Sequence, residues 1–177
     1  MKRLAARLQN VDDRWVSYVN QRWRCRVMDW IMPRVTHLGG AGFSLAFLAA
    51  WWLLIDSFAR YWALEGLVAL VFSHLVVRLG KHFWHRLRPY LEISGLFITS
   101  DALQDYSFPS GHTTAAFSLA VVWVLHLPWL AWILFPLAML VGLSRIYLGL
   151  HYPTDVIVGI WLGTAFAAGS HFVFLQY

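Results

Sequence analysis

The sequence predicts an all-α fold, a polytopic helix bundle in a membrane, and three observations lead to that fold class. Of the 177 residues, 59% are hydrophobic and only 13% are charged, and the mean hydropathy is +0.56. The chain contains 11 Trp residues, a residue type enriched at membrane–water interfaces. Several apolar runs approach the roughly 20 residues that a helix needs to cross a bilayer. We therefore expect a single membrane domain over residues 1–177.

Residues 1–38 form a segment of a different kind. Apolar residues recur there at helical spacing between charged ones, at Leu4, Leu8, Val11, Trp15 and Tyr18 and again at Val27, Trp30, Ile31, Val35 and Leu38. The Arg and Asp residues among them make a membrane-spanning helix unfavourable. We expect one or two amphipathic helices lying in the membrane interface. The alternative is a solvated basic tail.

Residues 39–177 carry the transmembrane catalytic bundle. We predict five spans, at 41–58, about 61–80, 112–127, 129–147 and 153–174. The second span is expected to continue as a helix into the segment that ends at Pro89. Gly159, Gly163 and Ala167 recur at four-residue spacing in the fifth span, which favours close contact with another helix. Residues 90–109 form the one long polar connection, and a loop of that length is usually functional.

The order of the spans brings three polar clusters to one membrane face. The second span ends near Lys81, and the third begins near His112. The fourth returns to the same face at Arg145, and the fifth leaves from it after His151. Charged residues from distant parts of the sequence are therefore expected to share one site.

One cluster is Pro109 to Thr114, where a polar loop becomes an apolar helix. Ser110 suits the N-cap position, and Gly111 lets the backbone approach a ligand closely. The free N–H groups and the dipole of a helix start bind anions, and His112 adds a proton donor. An ordinary Ser-capped helix with a His in its first turn is the alternative.

The other two clusters add cations and a second His. Lys81 and Arg88 can bind an anion, although single cations at helix ends often contact lipid headgroups instead. Arg145 lies at the end of a span, where a cation is costly unless water or an anion is near. Asp155 is close enough in sequence to accept Nδ1–H of His151, which would leave Nε2 as a free lone pair. A structural His–Asp contact is the alternative.

The three clusters together suit a phosphoryl group, because Arg and Lys can hold its oxygens while one His attacks and another protonates. We expect no metal site, since His82 and His85 have no acidic neighbour to complete one. The single Cys25 excludes an internal disulfide. The formal charge of +5 does not indicate nucleic acid, because eight of the fourteen Lys and Arg residues precede residue 35.

The clusters also form an ordered pattern: Lys81, six residues, Arg88-Pro89; then Pro109-Ser110-Gly111-His112; then Ser144-Arg145, five residues, His151, three residues, Asp155. This pattern resembles the three-part signature of the type-2 phosphatidic acid phosphatase superfamily. The motifs cover residues 81–155. The chain is most similar to small bacterial members that act on undecaprenyl pyrophosphate, phosphatidylglycerophosphate or phosphatidic acid, which implies a multi-pass protein of the bacterial cytoplasmic membrane.

The resemblance implies a lipid phosphatase that needs no metal or other cofactor and takes a lipid phosphate or pyrophosphate as substrate. His151 would be the nucleophile and form a phosphohistidine, Asp155 would orient it, and His112 would protonate the leaving group and then activate water. The phosphate would be held by Lys81, Arg88, Ser110, Gly111 and Arg145. A transporter or lipid-binding protein with the same basic pocket is the alternative, but it has no need for both His residues.

The side of the membrane on which the site lies is left open by the sequence. With five spans, the basic N-terminal segment shares the face of the site, and the positive-inside rule assigns that face to the cytoplasm. Resemblance to undecaprenyl pyrophosphate phosphatases implies the outer face.

Overall fold

In this computed structural model, residues 2–98 and 104–176 are described, with side chains from residue 6 onward. Within those ranges the chain is helical and contains no β-strand. The helices are α1 (Lys2–Arg22), α2 (Arg26–Val35), α3 (Ala41–Leu54), α4 (Tyr61–Trp84), α5 (Pro89–Glu92), α6 (Gly111–His126), α7 (Ala131–Tyr147) and α8 (Pro153–Phe174). Short 3₁₀ turns at Thr36–Gly39, Phe58–Arg60 and Pro128–Leu130 join some of them.

Helix α6 forms the centre of the bundle and packs against α4, α7 and α8. Most of its residues are buried. Glycines of α8 allow it to approach α6 closely: a Cβ atom on Gly163 would lie 2.5 Å from the carbonyl oxygen of Thr114, and one on Gly159 would lie 2.8 Å from that of Ser110. The predicted close contact through Gly159 and Gly163 is confirmed. It fixes the start of α8 beside the start of α6.

The described residues contain three helical stretches long and apolar enough to cross a membrane: Phe58–Glu92, Pro128–Tyr147 and Pro153–Phe174. A fourth is obtained if Arg26–Gly39 and Ala41–Leu54, which meet at a bend of 57°, form one broken span. Helix α6 has 16 residues and is shorter than the roughly 20 that a span needs. The all-α membrane bundle is thus confirmed, and the chain is a multi-pass membrane protein. The predicted count of five spans is not confirmed.

The N-terminal segment forms two helices, α1 and α2, and α1 turns an apolar stripe away from the bundle. Leu8 and Trp15 on that stripe are 51% and 53% exposed. On the adjoining side of α1, Asp12 and Val16 are buried at 2% and 0% exposure. An outward apolar stripe suits the predicted place in the membrane interface, while the inward side holds polar groups that contact the rest of the chain.

Helix α4 extends beyond Gly80, as predicted, but it ends at Trp84. The predicted continuation into the segment that ends at Pro89 is therefore observed, and the helix stops within it because His85 adopts a left-handed conformation with φ of 42°. A residue in that conformation ends a helix and redirects the chain. Arg86 and Arg88 are turned inward, toward Asp155 in the first turn of α8 and toward His151 just before it.

Candidate active site

The sequence-predicted site residues meet at one end of the bundle. Lys81 lies in the last turn of α4, and Arg88 directly precedes α5. His112 lies in the first turn of α6, within Coulombic range of Lys81, Arg145 and His151. The predicted convergence of the three clusters is therefore observed.

Arg88 contacts the imidazole of His151 directly. Its Nη1 atom lies 3.3 Å from Nε2 of His151 and 2.8 Å from the carbonyl oxygen of Leu150. A guanidinium has only donors, so Nε2 must be the acceptor in this contact. The proton of a neutral His151 is therefore on Nδ1, and Nε2 presents a lone pair to the cationic side of the site.

His151 lies between Arg88 and Asp155 with 2% exposure, and its buried Nδ1 atom makes no hydrogen bond among the described residues. Its Nδ1 atom faces Oδ2 of Asp155 at 3.5 Å. Burial, followed by the positive charges of Arg145, Arg88 and Lys81, lowers the pKa of His151 well below its usual value. The imidazole is therefore neutral at pH 7, which is the state that a nitrogen nucleophile requires.

Arg145 is a cation with unused hydrogen-bonding capacity. It is 3% exposed, and its Nη1 atom donates to Oγ1 of Thr36 at 2.8 Å. Its Nε atom is buried without a hydrogen-bond partner among the described residues. Buried charges are costly unless they are paired. A buried guanidinium with an unpaired N–H group, beside the cations Lys81 and Arg88, forms a site for an anion.

Asp105 supplies the carboxylate that contacts two of these cations. Its Oδ1 atom accepts from Nη2 of Arg88 at 2.6 Å, and its Oδ2 atom accepts from Nζ of Lys81. Partial burial raises the pKa of the Asp105 carboxyl, but Lys81 and Arg88 together outweigh that effect and lower the pKa to about 2. The side chain is 54% exposed. This carboxylate occupies donors that a phosphate would use.

The start of α6 faces the same site. Ser110 takes the N-cap position, as predicted, but its hydroxyl pairs with Oγ1 of Thr113 at 2.9 Å instead of a backbone amide. Its N–H donates to the carbonyl oxygen of Asp155 at 3.1 Å. The first intrahelical bond runs from Thr114 to Ser110. The amides of Gly111 and His112 precede it and belong to the helix end that attracts anions.

Arg86, which the sequence reasoning missed, holds Asp155 from the side opposite His151. Its Nη1 atom lies 2.7 Å from Oδ1 of Asp155 and 2.7 Å from Oγ1 of Thr154. Its Nη2 atom lies 2.7 Å from Oδ2 of Asp12 in α1. The other oxygen of Asp155 accepts from the N–H of Tyr152 at 2.9 Å. Both carboxylate oxygens are thus fixed, which fixes the one that faces His151.

An apolar cavity of about 330 Å³ lies between α3, α6 and α7. Leu38, Phe47, Trp123, Leu134 and Val141 are among the side chains that line it. It begins next to the site: a Cβ atom on Gly39 would lie 2.4 Å from the carbonyl oxygen of His112 and 2.7 Å from Cγ1 of Val141. A polar centre therefore adjoins an apolar cleft that follows the helices away from it.

Comparison with known proteins matches residues 62–176 to the PAP2 superfamily. Phosphatidylglycerophosphatase B of Bacillus subtilis is 31% identical over 159 residues, which cover 82% of this chain and 72% of that protein. Undecaprenyl-diphosphatase BcrC of the same species is 30% identical over 148 residues, or 79% of this chain and 74% of the relative. Undecaprenyl-diphosphatase of Sulfolobus acidocaldarius is 34% identical over 113 residues, or 63% of this chain and 55% of the relative. The chain thus spans between about half and three quarters of the length of these relatives.

Two solved structures are similar over nearly the whole chain. Aquifex aeolicus LpxE superimposes with a TM-score of 0.81 and 27% identity, covering 94% of this chain and 96% of that one. The PAP2 type phosphatidylglycerolphosphate phosphatase from Bacillus subtilis gives a TM-score of 0.77 and 27% identity, with 95% and 86% covered.

Proposed function

We propose that this chain, which belongs to the PAP2 superfamily, is an integral membrane phosphatase that hydrolyses a lipid phosphomonoester or diphosphate through a phosphohistidine. The observation that carries the proposal is the charge of the site. Lys81, Arg88 and Arg145 surround His151, and among the described residues the one carboxylate that contacts them, Asp105, is half exposed. Two positive charges in excess match a phosphate dianion, whose oxygens Arg and Lys bind strongly.

In the first step Nε2 of His151 attacks phosphorus. A P–N bond forms with the Nε2 lone pair, the P–O bond to the leaving group breaks, and the electron pair of that bond leaves with the oxygen. His112, which burial and the charges of Arg145 and Lys81 keep neutral on its own, takes up a proton when the phosphate anion binds beside it, and it donates this proton to the leaving oxygen. The Nδ1–H of His151 stays in place opposite Asp155, whose charge stabilises the imidazolium that forms. Lys81, Arg88 and Arg145 hold the equatorial oxygens, aided by the amides of Gly111 and His112.

In the second step water attacks phosphorus from the position that the leaving group has left. His112, now neutral, takes a proton from this water. The P–N bond breaks, its electron pair returns to Nε2 of His151, and inorganic phosphate is released. Both His residues are then back in their starting states. Ser110 keeps its predicted role as a phosphate ligand in this scheme, with its hydroxyl turning from Thr113 to the phosphate.

Arg86 acts as a positioning residue in this proposal. Because its guanidinium joins Asp12 of α1 to Asp155, the N-terminal helix takes part in holding the carboxylate that faces His151. Docking of α1 thereby becomes a condition for a correctly oriented nucleophile. The outward apolar stripe of α1 would lie in the membrane interface and hold the helix at the bilayer surface, where Asp12 contacts Arg86.

The substrate is a lipid whose chain lies in the apolar cavity between α3, α6 and α7. The cavity adjoins the backbone of His112, so a chain lying in it places its headgroup at the cations. We further propose that α6 is enclosed by the other helices at membrane depth and acts as an additional, short span, which would give the five-span arrangement. Undecaprenyl pyrophosphate, phosphatidylglycerophosphate and phosphatidic acid are the candidate substrates, and the bacterial cytoplasmic membrane is the proposed location.

The test uses the full chain in detergent micelles with each of these three lipids. His151→Gln should release no phosphate above background. His82→Gln changes an exposed His next to Lys81 at the end of α4 and should retain full turnover. Brief reaction of wild type with radiolabelled lipid should leave an acid-labile, base-stable phosphoprotein that His151→Gln lacks. Full turnover by His151→Gln would eliminate the nucleophile assignment. Phosphate binding without any release by wild type would instead support a transporter.

A further inference from the structure

A second polar cluster lies at the other end of the bundle, where α4 begins and α6 and α8 end. Glu65 of α4 is only 1% exposed. Its Oε2 atom lies 2.8 Å from Nε2 of His126 in α6, and its Oε1 atom lies 3.0 Å from Nδ1 of His171 in α8. One carboxylate is therefore placed between two imidazoles that come from two different helices.

This cluster is separate from the phosphate site. His112 and His126 lie at opposite ends of α6, and fourteen residues of helix correspond to about 21 Å at a rise of about 1.5 Å per residue. No step proposed for hydrolysis uses Glu65, His126 or His171. The cluster therefore needs an explanation of its own.

We propose that Glu65, His126 and His171 form a binding site for a divalent transition-metal ion of the zinc type. Their ligand atoms all lie within 4.8 Å of one another, and they are the one group of His, Cys, Asp and Glu residues so arranged in the described part of the chain. Zinc binds imidazole nitrogen and carboxylate oxygen at about 2.0–2.2 Å. Small shifts of the three side chains would place all of their ligand atoms around one ion.

The surroundings hold the ligands in place. The indole of Trp62 stacks on the ring of His126, with centroids 4.3 Å apart and an interplanar angle of 7°. The rings of His126 and His171 meet edge to face at 4.8 Å. The hydroxyl of Ser170 donates to the backbone oxygen of Glu65 at 2.9 Å, which ties α8 to α4 beside the cluster. Pre-positioned ligands lose little conformational freedom when an ion binds.

The cluster is also accessible to an ion. The side chains of His126 and His171 are 17% and 16% exposed, while that of Glu65 is 2% exposed. His126 is the last residue of α6, and His171 lies in the last turn of α8. Both imidazoles therefore lie near the end of the bundle, and the carboxylate lies beneath them.

The chemistry of loading is a change of protonation on the two rings. Each imidazole that donates to Glu65 carries its proton on the nitrogen that would bind the ion. When the ion binds, each neutral ring transfers that proton to its other nitrogen through water, and a doubly protonated ring releases one proton. Acid should therefore weaken binding, as for other His sites. The bound ion would link α4, α6 and α8 and stabilise the bundle.

The test measures Zn²⁺ itself, so its result does not depend on the proposed hydrolysis. Purified full-length protein in detergent is exposed to Zn²⁺, desalted, and assayed for metal content and thermal unfolding. Wild type should retain about one Zn²⁺ per chain, as a single three-residue site requires, and its unfolding midpoint should rise with Zn²⁺ and fall again with a chelator. Glu65→Gln and His171→Gln should lose both effects, while His82→Gln should keep them.

Three results would overturn the proposal. One is wild-type protein that holds no Zn²⁺ after desalting. Another is retention of the metal by Glu65→Gln and His171→Gln. The third is loss of the metal in His82→Gln, which would place the ion on the exposed His residues at the far end of α4. If Glu65→Gln does not fold, the visible absorption of Co²⁺-loaded wild type and its loss in His171→Gln decide between these results.

Discussion

The guanidinium of Arg88 donates to Nε2 of His151 across 3.3 Å, and this contact defines the reactive state of the imidazole. A cation that only donates keeps Nε2 as an acceptor, so protonation of Nε2 would bring two positive groups into contact. The same guanidinium contacts Asp105 through Nη2. Arg88 thus suppresses protonation of His151 and also binds Asp105, the carboxylate that a phosphate would replace.

We expect the acid limb of the pH–kcat/KM profile that belongs to His151 to lie below pH 6.5. Burial and the charges of Arg145, Arg88 and Lys81 lower the pKa of His151 below the ordinary value of 6.5. A base with a lowered pKa stays neutral, and therefore active, as the pH falls through 6.5, and it is lost only when the pH reaches its own pKa. The ¹⁵N chemical shift of His151 in labelled protein checks this assignment, and a titration centred above pH 6.5 would contradict it.

Asp105→Asn should lower KM for an anionic lipid and strengthen inhibition by inorganic phosphate. With a pKa of about 2, Asp105 is ionised at every working pH and competes with phosphate for Lys81 and Arg88. Partly exposed ion pairs contribute about 0.2–1 kcal/mol, so we expect a change of about 1.4- to fivefold. Asp56→Asn, an exposed carboxylate outside the site with the same loss of charge, is the matched control.

Steady-state kinetics over a range of phosphate concentrations measure this effect. An increase of KM in Asp105→Asn would contradict the competition and show instead that Asp105 holds Lys81 and Arg88 in the geometry that substrate needs.

Much of the site could be predicted from the sequence, because its residues lie at the ends of apolar segments. Lys81, His112, Arg145 and His151 follow from counting those segments, and the structure places all four at one end of the bundle. The PAP2 relationship inferred from their spacing is confirmed. Their individual catalytic roles stay predictions. The helix start at Ser110 was also predictable, since residues of that type favour the N-cap.

The contacts that the sequence did not reveal join residues far apart in the chain. Arg86 and Asp12 are 74 positions apart, and Arg145 and Thr36 are 109 apart. Such pairs depend on how the helices dock, which no local pattern encodes. The residue at which α4 ends has no clear signal in the sequence, because His85 holds the left-handed position that Gly or Asn usually occupies.

Arg86→Lys should lower kcat by about 10- to 100-fold while KM changes little. A lysine cannot donate to Asp12, Thr154 and Asp155 in the fixed fork of a guanidinium, and hydrogen bonds to charged groups contribute about 1.5–3 kcal/mol. Asp12→Asn should lower kcat in the same direction by a smaller factor. Asp56→Asn removes the same charge at an exposed position outside these contacts; it is the control and should leave kcat unchanged.

The split between kcat and KM separates positioning from binding. A rise in KM with unchanged kcat in Arg86→Lys would show that Arg86 binds substrate. Equal effects of Asp12→Asn and Asp56→Asn would exclude a specific role for the Asp12 contact.

Gly163→Ala should destabilise the bundle by about 1–3 kcal/mol, the usual cost of overpacking, because α8 has no room for a methyl group at this position. A Cβ atom on Gly163 would lie 2.5 Å from the carbonyl oxygen of Thr114 and 2.9 Å from the backbone nitrogen of Ser118, and backbone atoms cannot rotate away. Gly169→Ala in the same helix is the matched control, since no atom lies within 4 Å of its Cβ position. Thermal unfolding in detergent should show a lower midpoint for Gly163→Ala and an unchanged or higher one for Gly169→Ala. Equal midpoints would contradict the packing of α8 on α6 that places Asp155 beside Ser110.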